Sequence, residues 1–390
     1  MVMIMASKVE HLIMNFSYKA FAVVVITIAT IILSTLALSF SVQAEPYLAI
    51  KNNLKCAACH VNPNGGGLRN DFGKIYGQSI LPSKANTFDS AKMAKLTQYL
   101  SIGADARFNA NYQRNKEKTN NTSTGFAVES AQLYLHFKIP QTGLSFYFDE
   151  QVAPGSAINR EAFVMYNFAG EDASQGSYLK AGKLFLPYGL RIEDDSAFIR
   201  QATGMNFDNS DNGVEYGLNL GQTTLNLYVA NGTSQATNNN DSLLYGARLE
   251  HLFSLFRVGA SAVLNDGDKQ TLLLNLYAGT QFGDFGFLGE IDYITLEAAN
   301  TFNQQDINQL VSLLEMNYQW RQGWNFKLTA EYLDTDTDVA ENEQTRYSFI
   351  TEYTPLSNIQ LRFGMRVKQD IPQKPKQNYD VVFLQSHFYF

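Results

Sequence analysis

The chain has 390 residues, a net charge of −7 and 17% charged residues, with 21 tyrosines and 27 phenylalanines against 9 prolines. An acidic chain without a Lys/Arg-rich block is not built to bind nucleic acid. A mean hydropathy of −0.19 excludes a multi-span helical membrane protein, whereas abundant aromatics at modest hydropathy suit a β-rich one.

Residues 1–44 read as a signal peptide. Lys8 and Lys19 supply positive charge, Ala20–Phe40 is an unbroken run of apolar or small residues, and Val42 and Ala44 form a small-residue cleavage site. The competing reading is an uncleaved anchor, since the run is long enough to span a bilayer. Met14 is an alternative start. No later segment suits a transmembrane helix, so a membrane position after export requires a barrel.

The chain's only two cysteines come next, in Cys56-Ala57-Ala58-Cys59-His60. C-x-x-C-H is the spacing of c-type haem attachment. Two thiols three positions apart can add to the two vinyl groups of one porphyrin, and the adjacent imidazole then reaches the iron as proximal axial ligand. The alternatives are a disulfide in an oxidising compartment, a thioredoxin-like pair, which wants a βαβ pattern, and a zinc site, which wants a fourth ligand. Residues 45–92 are too few to bury a core of their own. One covalent haem c would supply apolar surface to such a small helical domain. Directly ahead of the first strand, the domain is expected at the periplasmic mouth or inside the barrel as a plug.

From about Lys95 the pattern has a period of two. Ile359, Leu361, Phe363, Met365 and Val367 share one face, opposite Gln360, Arg362, Gly364, Arg366 and Lys368. Leu133, Leu135, Phe137 and Ile139 likewise oppose Gln132, Tyr134, His136 and Lys138. Sixteen strands are expected near 95–107, 126–139, 143–151, 161–168, 177–185, 212–220, 223–231, 243–252, 255–264, 270–282, 285–298, 307–320, 323–334, 345–354, 357–369 and 377–390. Tight turns such as GQ, GD and RQG alternate with long loops such as NGTSQATNNNDS. Apolar-out, polar-in strands, short turns alternating with long loops and an even count mark a bacterial outer-membrane barrel. The final strand ends on Phe390, with Phe388 on the same face, and resembles the terminal signal of such barrels. The longest connection, about Leu186 to Asp211, is expected to fold into the lumen as a constriction, with an outer lid as the alternative. Lys180 to Arg191, KAGKLFLPYGLR, resembles a phrase of bacterial porins. The fold class is therefore all-β: a transmembrane antiparallel β-barrel of about 16 strands over 93–390, with the helical c-type haem domain at 45–92.

An export signal, one C-x-x-C-H and a barrel filling the rest resemble the fused monohaem cytochrome–porins of the bacterial outer membrane. These include the outer-membrane iron oxidases of iron-oxidising bacteria. The specific residues are Cys56, Cys59, His60, Pro63, Leu68, Phe72 and Gly73, and the NGGG of 64–67 widens the Pro-to-Leu spacing relative to that family. The resemblance implies electron transfer between an extracellular donor or acceptor, such as Fe(II), and periplasmic c-type cytochromes. The second expectation is an anion-preferring porin with a haem-bearing plug or redox gate, for which Arg362, Arg366 and Lys368 would line the lumen. Candidates for the distal iron ligand are His136, His387 and Met93, with polar lumen lining or core packing as the alternative for each. Asp334, Asp336, Asp338, Glu341 and Glu343 fall in one outer loop. There they either gather hard cations or form a solvated turn.

Overall fold

A computed structural model describes residues 45–85, 94–116, 122–170, 175–206, 209–235, 237–300, 304–369 and 378–390. The signal segment and Met93 lie outside the described residues. The strands are β1 (Leu100–Asn115), β2 (Thr122–Ile139), β3 (Leu144–Ala153), β4 (Ile158–Asn167), β5 (Gly176–Leu184), β6 (Asp211–Leu220), β7 (Thr223–Ala230) and β8 (Leu244–Leu252). They continue as β9 (Phe256–Asn265), β10 (Thr271–Phe282), β11 (Phe285–Leu296), β12 (Ile307–Arg321), β13 (Trp324–Asp334), β14 (Glu343–Leu356), β15 (Ile359–Gln369) and β16 (Tyr379–Tyr389). Each pairs antiparallel with its sequence neighbours, and β1 pairs with β16 to close the barrel. Phe390 completes the seam by exchanging backbone hydrogen bonds with Ala104, while Phe388 meets Phe108 edge-on at 6.1 Å.

The alternation has the expected sense. Along β10, Leu272, Leu274 and Leu276 are exposed, while Leu273, Asn275 and Tyr277 are buried. Leu276 is 62% exposed, whereas Lys180 and Glu215, ion-paired at 2.7 Å inside, are 0% exposed. An apolar outside around a charged inside reverses the order of a water-soluble protein and matches a lipid-facing barrel. Aromatic side chains cluster beside the tight turns. Trp324 stacks on Tyr353 at 4.2 Å, Phe285 on Tyr318 at 4.7 Å and Phe253 on Phe256 at 4.5 Å. Such girdles sit at a membrane interface. Turns of two residues join the strands there, using left-handed backbone at Gly283 (φ 58°) and Asn358 (φ 76°), as tight hairpins require.

All sixteen expected strands are present, and the first hairpin differs most. The stretch 108–125 was expected as a loop, but β1 runs to Asn115 and β2 begins at Thr122, paired from Asn109↔Ala127 to Arg114↔Thr122. Phe108, Ala110 and Tyr112 still alternate with Asn109, Asn111 and Gln113, but from Arg114 to Gly125 every residue is polar or small, so no alternation marks the hairpin's tip; the ladder there needs only backbone. At the other end, 95–99 lies outside β1.

Two segments fill the lumen. The first is 45–85, built from a helix Pro46–Lys51, a 3-10 turn Cys56–Ala58 and a helix Asp71–Ile75. Its partners lie right round the wall. Lys327 (β13) meets Glu45 at 2.8 Å, and Tyr47 donates to Glu352 (β14) at 3.1 Å. Asn62 donates to Glu161 (β4) at 2.9 Å, and Leu68 N–H to Tyr147 (β3) at 3.0 Å. Only a segment inside the barrel reaches all of these strands. It lies toward the tight turns, where Ser83 bonds Gln322 and Ser357 bonds Gln78.

The second is the long β5–β6 connection. It crosses the lumen and is not an outer lid. Tyr188 donates to Asp292 (β11) at 2.9 Å, Phe198 N–H to Glu331 (β13) at 2.8 Å, and Arg346 (β14) meets Asp194 at 3.0 Å. Leu186, Tyr188, Leu190, Ile192 and Phe198 join Tyr47, Ile50 and Leu68 in one buried apolar cluster.

Candidate functional site

The two cysteines and His60 are set by short-range geometry. In the turn that follows Lys55, the Cys56 carbonyl accepts from the Cys59 and His60 N–H groups, each at 3.1 Å. His60 then pairs with Arg69 through an isolated bridge, flanked by Val61 N–H to Leu68 O and Asn70 N–H to Cys59 O, each 3.0 Å. Asn70 holds the turn from outside. Its amide donates to the Ala57 and Ala58 carbonyls at 3.1 and 3.0 Å, and its oxygen caps the next helix through Gly73 N–H at 3.0 Å. A side chain on Gly73 would strike the Cys59 carbonyl.

The NGGG insert acquires a role. Asn64 donates to Glu215 (β6) at 2.9 Å, as Asn62 does to Glu161, and Lys180 (β5) reaches Asn62 at 3.2 Å. The next three residues all take left-handed backbone, Gly65 at φ 86°, Gly66 at 73° and Gly67 at 60°, which L side chains rarely adopt. A β-carbon on Gly65 would lie 3.2 Å from that of Cys56, and one on Gly66 would lie 2.9 Å from the Arg191 guanidinium carbon. The insert wraps the cysteine turn tightly and fastens it to the wall.

These pieces line a cleft, open in part to solvent, with about 990 Å³ of empty space. Leu48, Ala49 and Leu54 form one wall, Pro187 to Arg191 of the luminal connection another, and Cys56, Cys59, His60 and Arg69 a third. Among the described lining residues His60 is the only histidine, and there is no methionine.

His60 is 2% exposed, and neither ring nitrogen has a hydrogen-bond partner. Burial, then Arg69 and Arg191, push its pKa down to about 3, against a weaker opposing pull from the Gly66 and Gly67 backbone. The ring is therefore neutral, the form that binds a metal. Burial also pushes the Cys56 and Cys59 thiols up. Both cysteines are free, in surroundings unlike those that generate a reactive thiolate. No group of three His, Cys, Asp or Glu side chains arranged to hold a metal occurs among the described residues. Two protonated thiols and one neutral imidazole with unpartnered nitrogens, on one largely apolar cleft, fit a thioether-tethered haem better than a zinc site or a redox dithiol.

The histidines expected as distal ligands do not join this cleft. His387 is committed elsewhere: Nε2 meets Asp105 at 2.6 Å and Nδ1 meets Gln360 at 3.2 Å. His136 lines an adjoining cavity that His60 also lines but neither cysteine does. Two of the three lumen cations expected to face anions are ion-paired: Arg362 meets Glu193 at 3.0 Å and Glu352 at 3.2 Å, and Arg366 meets Asp194 at 2.7 Å, while the Lys368 ammonium lies over the Phe198 and Tyr379 rings. In the acidic loop, Asp334 and Asp336 accept from the backbone of Asp336 and Asp338, acting as turn caps.

No protein-family model matches the chain, and no curated protein matches it. Solved structures do. A loop-deletion form of OmpT, an outer-membrane protein of Vibrio cholerae, matches with a TM-score of 0.57 at 12% identity, covering 75% of this chain and 100% of that one. The anion-selective porin from Comamonas acidovorans matches at 0.56 with 14% identity, covering 75% and 99%. OprB of Pseudomonas putida matches at 0.56 with 6% identity, covering 75% and 94%. The barrel has the porin fold. At these identities the likeness extends to the fold alone, and the cysteine cleft rests on its own geometry.

Proposed function

We propose that this chain is an outer-membrane c-type cytochrome–porin, moving electrons through one covalently bound haem between an extracellular donor or acceptor and periplasmic c-type cytochromes. The observation that carries the proposal is the C-x-x-C-H turn, folded into a cleft with both His60 nitrogens unpartnered. Cys56 and Cys59 would each add S–H across a vinyl group, so that nothing is lost in the attachment, and His60 would give its lone pair to the iron. The haem, when bound, supplies one-electron transfer, which needs no general acid or base. Pro187 to Leu190 would lie against one side of the haem. Outer-membrane lipid suits the apolar belt, and the tight-turn end, by the usual orientation of such barrels, faces the periplasm.

A small soluble donor such as Fe(II) suits the outer side. A second, solvent-open cavity there is walled by Glu129 and by Glu193 to Asp195 of the connection that also lines the cleft, together with Arg107, Arg160, Arg362 and Arg366. In outer-membrane vesicles containing the protein, a c-type absorbance band should appear, and its redox state should change on adding Fe(II) outside. A spectrum without c-type haem would overturn the proposal. A bound haem that ignores both outside donors and periplasmic cytochromes, alongside solute conductance, would favour the plugged porin.

A further inference from the structure

Arg69 is, like Arg200 of the luminal connection, a buried lumen arginine without an ion pair among the described residues, and of the two it is the one beside the cysteine turn. It is 7% exposed, makes no ion pair or side-chain hydrogen bond among the described residues, and leaves Nη1 buried without a partner. A buried cation without an acceptor is costly, so the position calls for an anion. The nearest candidate in the wall is taken, since Asp105 meets His387 at 2.6 Å and Arg107 at 3.7 Å. Two features hold the guanidinium at the cleft. The bridge to His60 fixes its backbone, and the Tyr389 ring lies beneath it at 5.5 Å. It lines the same cleft as Cys56, Cys59 and His60.

We propose that Arg69 receives a propionate carboxylate of the haem attached at Cys56 and Cys59, an inference that rests on the cytochrome proposal above. A porphyrin tethered by these thiols brings its own carboxylates into the cleft. A planar guanidinium matches a carboxylate bidentately. The charge balance follows: the cofactor's carboxylate neutralises the one lumen arginine beside the cysteine turn that lacks a protein acid. A cation held this close to the iron also favours the ferrous state, so Arg69 sets the reduction potential as well as the seating of the ring.

The test is spectroelectrochemistry on the purified full-length protein as wild type, R69K and R69Q, each checked for covalent haem. R69Q should retain haem but shift the ferric–ferrous equilibrium toward ferric by at least tenfold, about 59 mV for one electron. R69K should lie between it and wild type. An R69Q potential equal to wild type would overturn the inference. So would a wild-type potential that follows added chloride or phosphate while R69Q ignores both, because Arg69 would then hold a free anion. If R69Q does not assemble, resonance Raman of R69K decides: the propionate bending band must move, and an unmoved band overturns the inference. Absence of haem from wild type would instead defeat the cytochrome proposal itself.

Discussion

The two halves of the filled lumen treat buried polar groups in opposite ways. Around the luminal connection and the far wall, Arg107 meets Glu193 at 3.0 Å, Lys327 meets Glu45 at 2.8 Å, Arg346 meets Glu331 at 2.6 Å and Arg362 meets Glu193 at 3.0 Å. In the cysteine cleft, His60 and Arg69 are just as buried, yet the His60 ring nitrogens have no hydrogen-bond partner and Arg69 no ion pair among the described residues. Folding does not leave buried polar atoms unpartnered without a reason. Most charges of the paired half meet an acid, although Arg200 keeps Nε and Nη2 buried without a partner; the cleft gathers an unpartnered imidazole and an unpaired guanidinium beside two thiols, the chemistry of a site finished by a ligand. Changes in the first should therefore cost stability, and changes in the second should cost the cofactor.

The largest effect follows from removing both thiols. Cys56→Ser with Cys59→Ser should abolish covalent haem completely, read as loss of haem stain on a denaturing gel. The barrel should still assemble, because neither thiol pairs with the wall. Persistent covalent haem in that variant would break the contrast.

Lys327→Met should do the reverse. It removes the cation that lies 2.8, 3.9 and 3.5 Å from Glu45, Glu315 and Glu352, leaving Arg362 alone to serve Glu45 and Glu352. Losing one partner of a buried pair costs about 3–5 kcal/mol. The denaturation midpoint of the detergent-solubilised protein should fall accordingly, while haem stain per folded molecule stays constant. A stable variant that has lost its haem would mean that the charged half also belongs to the site.

What the sequence discloses follows the same division. Period-two alternation and loop lengths are local properties, so all sixteen strands could be read from them. The last polar residues of β1 and the first of β2, Arg114, Asn115 and Thr122 to Gly125, could not, because no face there is apolar, although the alternation of Phe108, Ala110 and Tyr112 was legible. The thiols and His60 announce themselves by spacing. Asn70, Arg69 and the Gly65–Gly67 run do not, since each matters through a contact that the linear order does not display. Gly66 lies against Arg191, and Asn64 against Glu215. One signal was available: an Asn followed by three glycines is a poor loop unless something presses against the backbone on every side. The luminal ion pairs are equally silent, for they join residues as far apart as Glu45 and Lys327.

The smallest effect should come from the other two lumen histidines of the described strands β2 and β16. If the cleft alone is finished by the cofactor, a side chain that lines only the adjoining cavity, or one already saturated, is not expected on the iron. His387 is saturated by Asp105 and Gln360. His136 lies on the adjoining cavity, reached by His60 but by neither cysteine. H136Q and H387Q should thus leave the haem absorbance bands where they are in wild type, in both oxidation states. H387Q should show some loss of stability, since Asp105 loses a hydrogen-bond partner in a site 1% exposed. A band that moves in H136Q would place that imidazole on the iron. The ring plane would then have to reach past His60 into the second cavity, and the boundary between the finished and unfinished halves would have to be redrawn through β2.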